Sequence, residues 1–447
     1  MIEIQELNRT TVKANECKNE DIILSAMDIF QNTFTVNILF FYSEKLNVEK
    51  LTTSLSEVLN DFHVLAGRFT LSEKGLVIST NNHGIQFIEA ECDKPIDNFS
   101  AGSIDKFELS KLIENIDPTG LINTDLPICT IKVTHLSGGG SVLGCNFAHG
   151  ILDMDSLVFF MNCWSKKSLS KDYPLPTHDR MVVESFDRIE AIQKIATEEL
   201  PKETYGFIRF TMDEANNFIA KTAQTIQYMQ EEIFTFDKSE LAQLKSKASE
   251  NLHEEEWIST HDALCAHIWQ VLSELRFTDK AGSSKLLFVS NVKDKMNPTL
   301  DESFFGNKVC HVVVQKSIES VCDESVSETA LSIRKEIQNL SADTINGEYE
   351  WLFKNYAKGE PGVLIGNVDL YGNDFFVSSF LGFPMYEVDF GNGTPHWVTV
   401  PFMGLSWAIR LMNAKDDSGI EVHMAMTEEF MKKLKSETWQ KRLHMFE

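Results

Sequence analysis

The sequence predicts an α/β protein of two units joined by a crossover, each a β-sheet flanked by helices. Three observations carry this expectation. Strand-type and helix-type runs alternate along both halves of the chain, the pattern that layers helices on a sheet. Residues 170–190 carry Pro174 and Pro176 and no clear period, which marks a boundary between units. The length, 447 residues, suffices for two or three domains with filled cores.

The first half reads as follows. Residues 33–42, TFTVNILFFY, are β-branched and aromatic and predict a strand. Leu51, Leu55, Val58, Leu59 and Phe62 then recur on one helical face. That helix is expected to stop near Ala66-Gly67-Arg68, with Gly67 as a left-handed cap. Lys74-Gly75 reads as a hairpin turn into residues 76–79, and residues 93–125, with Pro95 and Pro118, as surface loop with short helices. An alternating run over 128–135, a glycine-rich turn over 137–141 and an apolar run over 142–148 predict a β-hairpin. His149 follows at the end of its second strand. Asp155-Ser156 are expected to cap a helix over 156–166 that bears Trp164.

Residues 190–230 are charged and partly helical, over 212–230, and read as a crossover rather than a domain. A strand over 232–236 precedes Asp237-Lys238-Ser239-Glu240, a capping-box signature for the helix holding Leu241 and Leu244. Leu264, Ile268, Val271, Leu272 and Leu275 share one face of a helix over 261–275. Strands are predicted over 285–291, 309–315, 374–379, 385–389, 405–412 and 420–426, with helices over 326–340 and after Thr427. The expected division is residues 1–185, a crossover over 186–230, and residues 231–447.

Composition narrows the function. Hydrophobic content of 43% and charged content of 24% are ordinary for a globular chain. The net charge of −25 and the lack of clustered Lys and Arg argue against nucleic acid. The eight cysteines (Cys17, Cys92, Cys129, Cys145, Cys163, Cys265, Cys310 and Cys322) show no C-x-x-C pair and no zinc spacing, which fits a reducing compartment. The opening MIEIQELNRTTVK lacks the basic-then-apolar pattern of a signal peptide, and no run of about 18 apolar residues exists. A cytoplasmic protein without a membrane segment is expected.

His149-Gly150-Ile151-Leu152-Asp153 is the stretch that carries chemistry. A histidine at a strand-to-helix junction is held rigidly and can still face a cleft, which suits a general base. The competing reading is a core histidine hydrogen-bonded at a strand end, and with twelve histidines an H-x-x-x-D match by itself decides nothing. His261 and His267 are six apart on one helix, do not share a face, and read as structural; no metal site emerges.

Taken in order, these residues resemble the BAHD acyl-CoA-dependent acyltransferases. His149–Asp153 matches their HxxxD, and Asp389-Phe390-Gly391-Asn392-Gly393 resembles their DFGWG. Leu24-Ser25-Ala26-Met27-Asp28 is similar to LSxxD, Leu65-Ala66-Gly67-Arg68 to LAGR, and Asp179-Arg180 to a DR pair. Trp164 stands where the helix after HxxxD has a tryptophan, and residues 259–269, STHDALCAHIW, resemble a further helix motif. Asn297-Pro298 and Phe305-Gly306-Asn307 match NP and FGN. The departures are Met154 for the glycine after HxxxD, Asn392 for the tryptophan of DFGWG, Phe380 for the tryptophan of T-S-W, and Lys293 for an arginine. They mark a divergent member with an altered acceptor pocket, one that need not come from a plant.

The resemblance implies a chloramphenicol-acetyltransferase-like fold in each half and a monomer with the histidine in a channel between domains. It implies acyl-CoA as co-substrate, with no tightly bound cofactor, and transfer of the acyl group to a hydroxyl or amine of a small acceptor. In that scheme His149 and Asp153 are the expected catalytic motif. His149 is the base of a direct attack, and Asp153 is structural, making an ion pair rather than relaying charge. Ser378 replaces the threonine of T-S-W and is expected to orient the acceptor or the oxyanion; the bland reading is a strand hydroxyl bonded to its own backbone. Asp389, Gly391 and Gly393 form a structural loop, with Asp389 expected to pair with Lys293, which supplies charge but no bidentate fork. Two rivals are a condensation-type domain using carrier-protein thioesters and a silent ligand-binding relative. Ala148 before the motif disfavours the first, because such domains carry a second histidine there. Lys308 after Asn307 disfavours malonyl-CoA, and the absence of arginine over 366–374 disfavours a shikimate-like carboxylate.

Overall fold

The computed structural model describes residues 1–102, 105–195, 197–250, 252–359, 362–402 and 404–446. Its strands, in chain order, are β1 (Ile4–Val12), β2 (Asp21–Ile23), β3 (Thr35–Tyr42), β4 (Arg68–Ser72), β5 (Gly75–Ser79), β6 (Ile85–Cys92), β7 (Cys129–Leu136) and β8 (Ser141–Ala148). They continue as β9 (Phe207–Phe210), β10 (Met229–Asp237), β11 (Ser283–Asn291), β12 (Val309–Ser317), β13 (Val363–Gly366), β14 (Phe375–Ser379), β15 (Trp397–Thr399), β16 (Ala408–Asn413) and β17 (Gly419–Thr427). The chain forms two compact units. The first comprises Met1–Phe186, Met296–Val309 and Gly382–Phe402, and the second takes the rest.

In the first unit a six-stranded sheet runs β1-β6-β7-β8-β3-β15, beside a three-stranded sheet β2-β5-β4. β6 and β7 are parallel, and β7, β8, β3 and β15 are successively antiparallel. Every side chain of β7 and β8 is buried, including Thr130, Lys132, Thr134 and His135, the polar members of β7's alternation. The turn between them places Gly138 and Gly139 at φ of 87° and 115°, a region glycine enters without steric cost. Gly144 in β8 answers a different demand: a Cβ there would stand 2.1 Å from the Leu112 carbonyl oxygen. After β8 comes a helix over Met154–Ser168, whose Trp164 is fully buried and donates from Nε1 to Ser54 Oγ at 3.1 Å.

The second unit holds a six-stranded sheet, β10-β17-β16-β14-β11-β12, and a two-stranded sheet, β13-β9. The elements at Arg188–Ile195, Phe207–Phe210 and Met212–Ile226 belong to it. Its helix Thr260–Arg276 starts on a reciprocal capping box between Ser259 and Asp262, which satisfies two orphan donors of the first turn. Among the described residues no helix is long and apolar enough to cross a membrane.

Several local expectations are corrected. The helix carrying Leu51 ends at Val58, and a separate 3-10 turn covers His63–Ala66. Gly67 is extended, at φ −85° and ψ −168°, so it is no left-handed cap. Close approach requires glycine there instead, because a Cβ would lie 2.6 Å from the Ser79 carbonyl oxygen. The cap of the helix after His149 is Asp153, whose carboxylate accepts from the Ser156 N–H, and helix begins at Met154 rather than at residue 156. Residues 385–387 form a 3-10 turn after Pro384 instead of a strand, with the Glu387 N–H bonded back to the Pro384 carbonyl.

Candidate active site

His149 is placed by the ladder that precedes it. β3 and β8 pair through Thr35 and Ala148, and the His149 N–H extends the pairing by one bond to the Phe34 carbonyl at 2.9 Å. Gly150 follows in a tight turn, closed by the Ile151 N–H on the Ala148 carbonyl, where a Cβ would meet Asn32 Oδ1 at 2.6 Å. The imidazole is half-buried. Its Nδ1 is fully buried with no hydrogen-bond partner among the described residues. Burial holds the ring's pKa below the ordinary histidine value, against opposing pulls from Asp153 and Asn307. A neutral imidazole at neutral pH follows, the form that can accept a proton.

Four residues after His149, the Asp153 side chain is almost wholly buried and is aimed into the protein. Oδ1 accepts from the Ser156 N–H at 2.8 Å, and Oδ2 from the Lys308 N–H at 2.9 Å. The Lys308 ammonium, itself buried, stands 3.6 Å from Asp153 Oδ1 and 3.2 Å from Asp155 Oδ2. It also donates to Ser156 Oγ at 2.9 Å. Asp153 thus forms a buried ion pair with Lys308.

Asn307, next to Lys308, reaches the other end of the motif. Its Nδ2 donates to the His149 carbonyl at 2.7 Å and to Asp28 Oδ1 at 2.8 Å. Asp28 Oδ1 also accepts from Arg180 Nη1 at 2.9 Å, in an ion pair with both side chains at or below 1% exposure. Asp28 Oδ2 takes the Ser25 N–H and hydroxyl. Gly306 lets this contact close, since a Cβ there would crowd Arg180 Nη1 at 3.0 Å. Scattered motif matches at Asp28, Arg180 and Asn307, to which the sequence attaches no role, thus form one buried network behind the histidine. The sequence marks Lys308 only as the residue after Asn307 that disfavours malonyl-CoA, and attaches no structural role to it.

The remaining expected site residues belong to other elements. Ser378 sits in β14 of the second unit, half-buried, opposite Arg410 of β16. Its hydroxyl makes no hydrogen bond among the described residues. Lys293 opens a 3-10 turn of the second unit, with its N–H on Asn291 Oδ1. Asp389 belongs to the first unit, where Oδ1 accepts from the Gly391 N–H at 2.7 Å. Gly391 and Gly393 adopt φ of 98° and 85°, which a tight loop requires and glycine supplies. The loop is pinned by Lys50 Nζ on the Phe390 carbonyl at 2.6 Å and by Phe390 edge-on to Trp164, with ring centroids 4.8 Å apart. A surface cavity of about 540 Å³, lined by Thr10, Thr52 and Ser56 among others, contains none of these residues. No cluster of three metal-ligating side chains occurs among the described residues.

The Transferase family profile matches residues 1–441. Hydroxycinnamoyltransferase 2 of Oryza sativa subsp. japonica is 24% identical over 407 residues, covering 87% of this chain and 86% of that protein. Stemmadenine O-acetyltransferase of Catharanthus roseus is 24% identical over 431 residues, with 93% and 91% covered. Among solved structures, vinorine synthase superposes with a TM-score of 0.73 at 18% identity, over 96% of each chain. F. graminearum TRI101, complexed with coenzyme A and deoxynivalenol, superposes with a TM-score of 0.74 at 16% identity, over 94% of this chain and 98% of that one. The fold is thus the two-domain fold of chloramphenicol-acetyltransferase type expected from the sequence. The chain belongs to the Transferase family, the BAHD acyl-CoA-dependent acyltransferases, and is an enzyme that transfers acyl groups other than amino-acyl groups.

Proposed function

We propose that this enzyme transfers an acyl group from a CoA thioester to a hydroxyl or amine of a small acceptor, with His149 as the general base. The observation that carries this reading is the half-buried imidazole at the end of β8, kept neutral by burial. Because Nδ1 is buried, Nε2 is the nitrogen a substrate can reach. A proton on Nδ1 would leave the Nε2 lone pair free to accept one from the substrate.

In the reaction Nε2 takes the acceptor's proton as its oxygen or nitrogen attacks the thioester carbonyl. The tetrahedral oxyanion takes a hydrogen bond from the Ser378 hydroxyl. Collapse breaks the carbon–sulfur bond, and the proton on Nε2 passes to the departing thiolate, so the enzyme carries no covalent intermediate. Asp153 holds the loop rather than relaying charge. Asp389 and Lys293 shape the architecture around the second motif. The enzyme works as a monomer, acyl-CoA enters as co-substrate, and no cofactor is held between turnovers. Acetyl, longer aliphatic and aromatic acyl groups are the donor classes to test, as relatives named for acetyl and hydroxycinnamoyl transfer suggest.

The test follows CoA thiol release with a panel of acyl-CoAs and a pool of alcohols and amines, wild type beside His149→Ala, with products identified by mass. Acceptor-dependent release that collapses in the variant is expected. Release that survives His149→Ala removes His149 as the base.

A further inference from the structure

Lys308 is costly where it stands. It is 3% exposed, and burying an ammonium carries a desolvation penalty that an ion pair does not reliably repay. It also sits at the N-terminal end of the Met154–Ser168 helix, the positive end of the helix dipole, where a cation is disfavoured. An apolar pair in place of both Lys308 and Asp153 would serve stability there as well or better. What Lys308 gains is a grip on the loop: its N–H holds Asp153 Oδ2, and its ammonium holds Ser156 Oγ between the Asp153 and Asp155 carboxylates. The preceding residue, Asn307, holds the His149 carbonyl. Adjacent residues of one strap thus grip the first and last residues of the His149–Asp153 loop.

We infer that Lys308 is a positioning residue for His149: it fixes the far end of the loop and neutralises the Asp153 carboxylate behind the imidazole. The inference rests on the reading of His149 as the base. In the first unit the charged groups around the imidazole are Asp153 from its own loop, with Lys308 and Asp155 beside it, and the Asp28–Arg180 pair reached through Asn307. Without the lysine, Asp153 faces the ring uncompensated and its attraction for a protonated imidazole grows.

Lys308→Met removes the charge and keeps an unbranched chain; Lys308→Gln also keeps a donor for Ser156. Each is compared with wild type and with His149→Ala for melting temperature, kcat, KM for acyl-CoA and the pH profile of kcat/KM. Expected for the Lys308 variants is a kcat lowered by up to about 100-fold, the scale of a misplacement of about 1 Å, with KM nearly unchanged. The acid limb should move up by about one pH unit, the scale of an uncompensated carboxylate a few ångströms away. A limb and a kcat equal to wild type in whichever variant folds would overturn the inference, whatever the melting temperature does. His149→Ala separates the two claims. If it keeps activity, the base assignment fails; if it is inactive while the Lys308 variants match wild type, only the positioning role fails.

Discussion

Asn307→Ala offers the sharpest check on the network behind the histidine. The substitution deletes two hydrogen bonds, from Nδ2 to the His149 carbonyl at 2.7 Å and to Asp28 Oδ1 at 2.8 Å. A neutral bond contributes about 1 kcal/mol net and one to a charged group about 2 kcal/mol. Asp28 keeps Arg180, Ser25 and the backbone N–H of residue 307, so its carboxylate does not become an unpaired buried charge. The expected loss is therefore about 2–3 kcal/mol, rather than the 3–5 kcal/mol of a broken buried ion pair. For a unit of this size that lowers the melting temperature by roughly 5–10 °C. The released carbonyl also frees the backbone that carries the imidazole, and kcat should fall by about 10- to 100-fold with KM for acyl-CoA little changed. Thermal melts and CoA-release kinetics on the same preparation measure both. A destabilised variant with wild-type kcat per folded molecule would refute the claim that Asn307 orients His149.

Other consequences follow from single sites. Ser378→Ala should lower kcat about 100- to 1,000-fold with KM nearly unchanged if its hydroxyl meets the oxyanion; equal kinetics in steady-state assays would remove it from that role. Gly391→Ala forces a side chain into φ of 98° and against Lys50 Nζ at 2.8 Å, so it should cost at least about 1–2 kcal/mol, read as a lower melting temperature. His267 is buried, with Nε2 on the Leu443 carbonyl at 2.7 Å, and burial pushes its pKa down to about 4. Below the unfolded value of about 6.5 the unfolded chain binds a proton that the folded chain refuses, so stability falls as pH drops from there to about 4 and is flat below. The full linkage is about 3 kcal/mol. His267→Gln, which keeps a donor and cannot titrate, should flatten the loss between pH 7 and pH 4 in urea titrations; an unchanged slope would contradict the assignment.

Some elements were legible because their cause is local. The β7–β8 hairpin shows as two apolar runs around glycines that the turn's positive φ demands, and it delivers His149 to a strand end. The cap at Asp237, whose carboxylate accepts from the Glu240 N–H, shows because capping spans three residues. β1 was not legible: it is an edge strand with nearly every side chain exposed, and no alternation survives when neither face is buried. Gly67 misled for a related reason. A glycine after a helical run suits a left-handed cap, but the constraint there is the Ser79 carbonyl, which comes from another strand.

The sequence by itself determined the alternation of strands and helices, the hairpin that carries His149, and the order of motifs that marks the family. The first two are properties of neighbours within a few residues, where periodicity, turns and caps operate, and the third is their order along the chain. Only the tertiary structure decided which groups surround the histidine. Asn307 meets the His149 carbonyl across 158 positions, and Lys308 meets Asp153 across 155. A buried carboxylate needs a cation and a buried carbonyl needs a donor. Composition cannot say which of many lysines or amides answers, because that choice is made by the path of the chain through space.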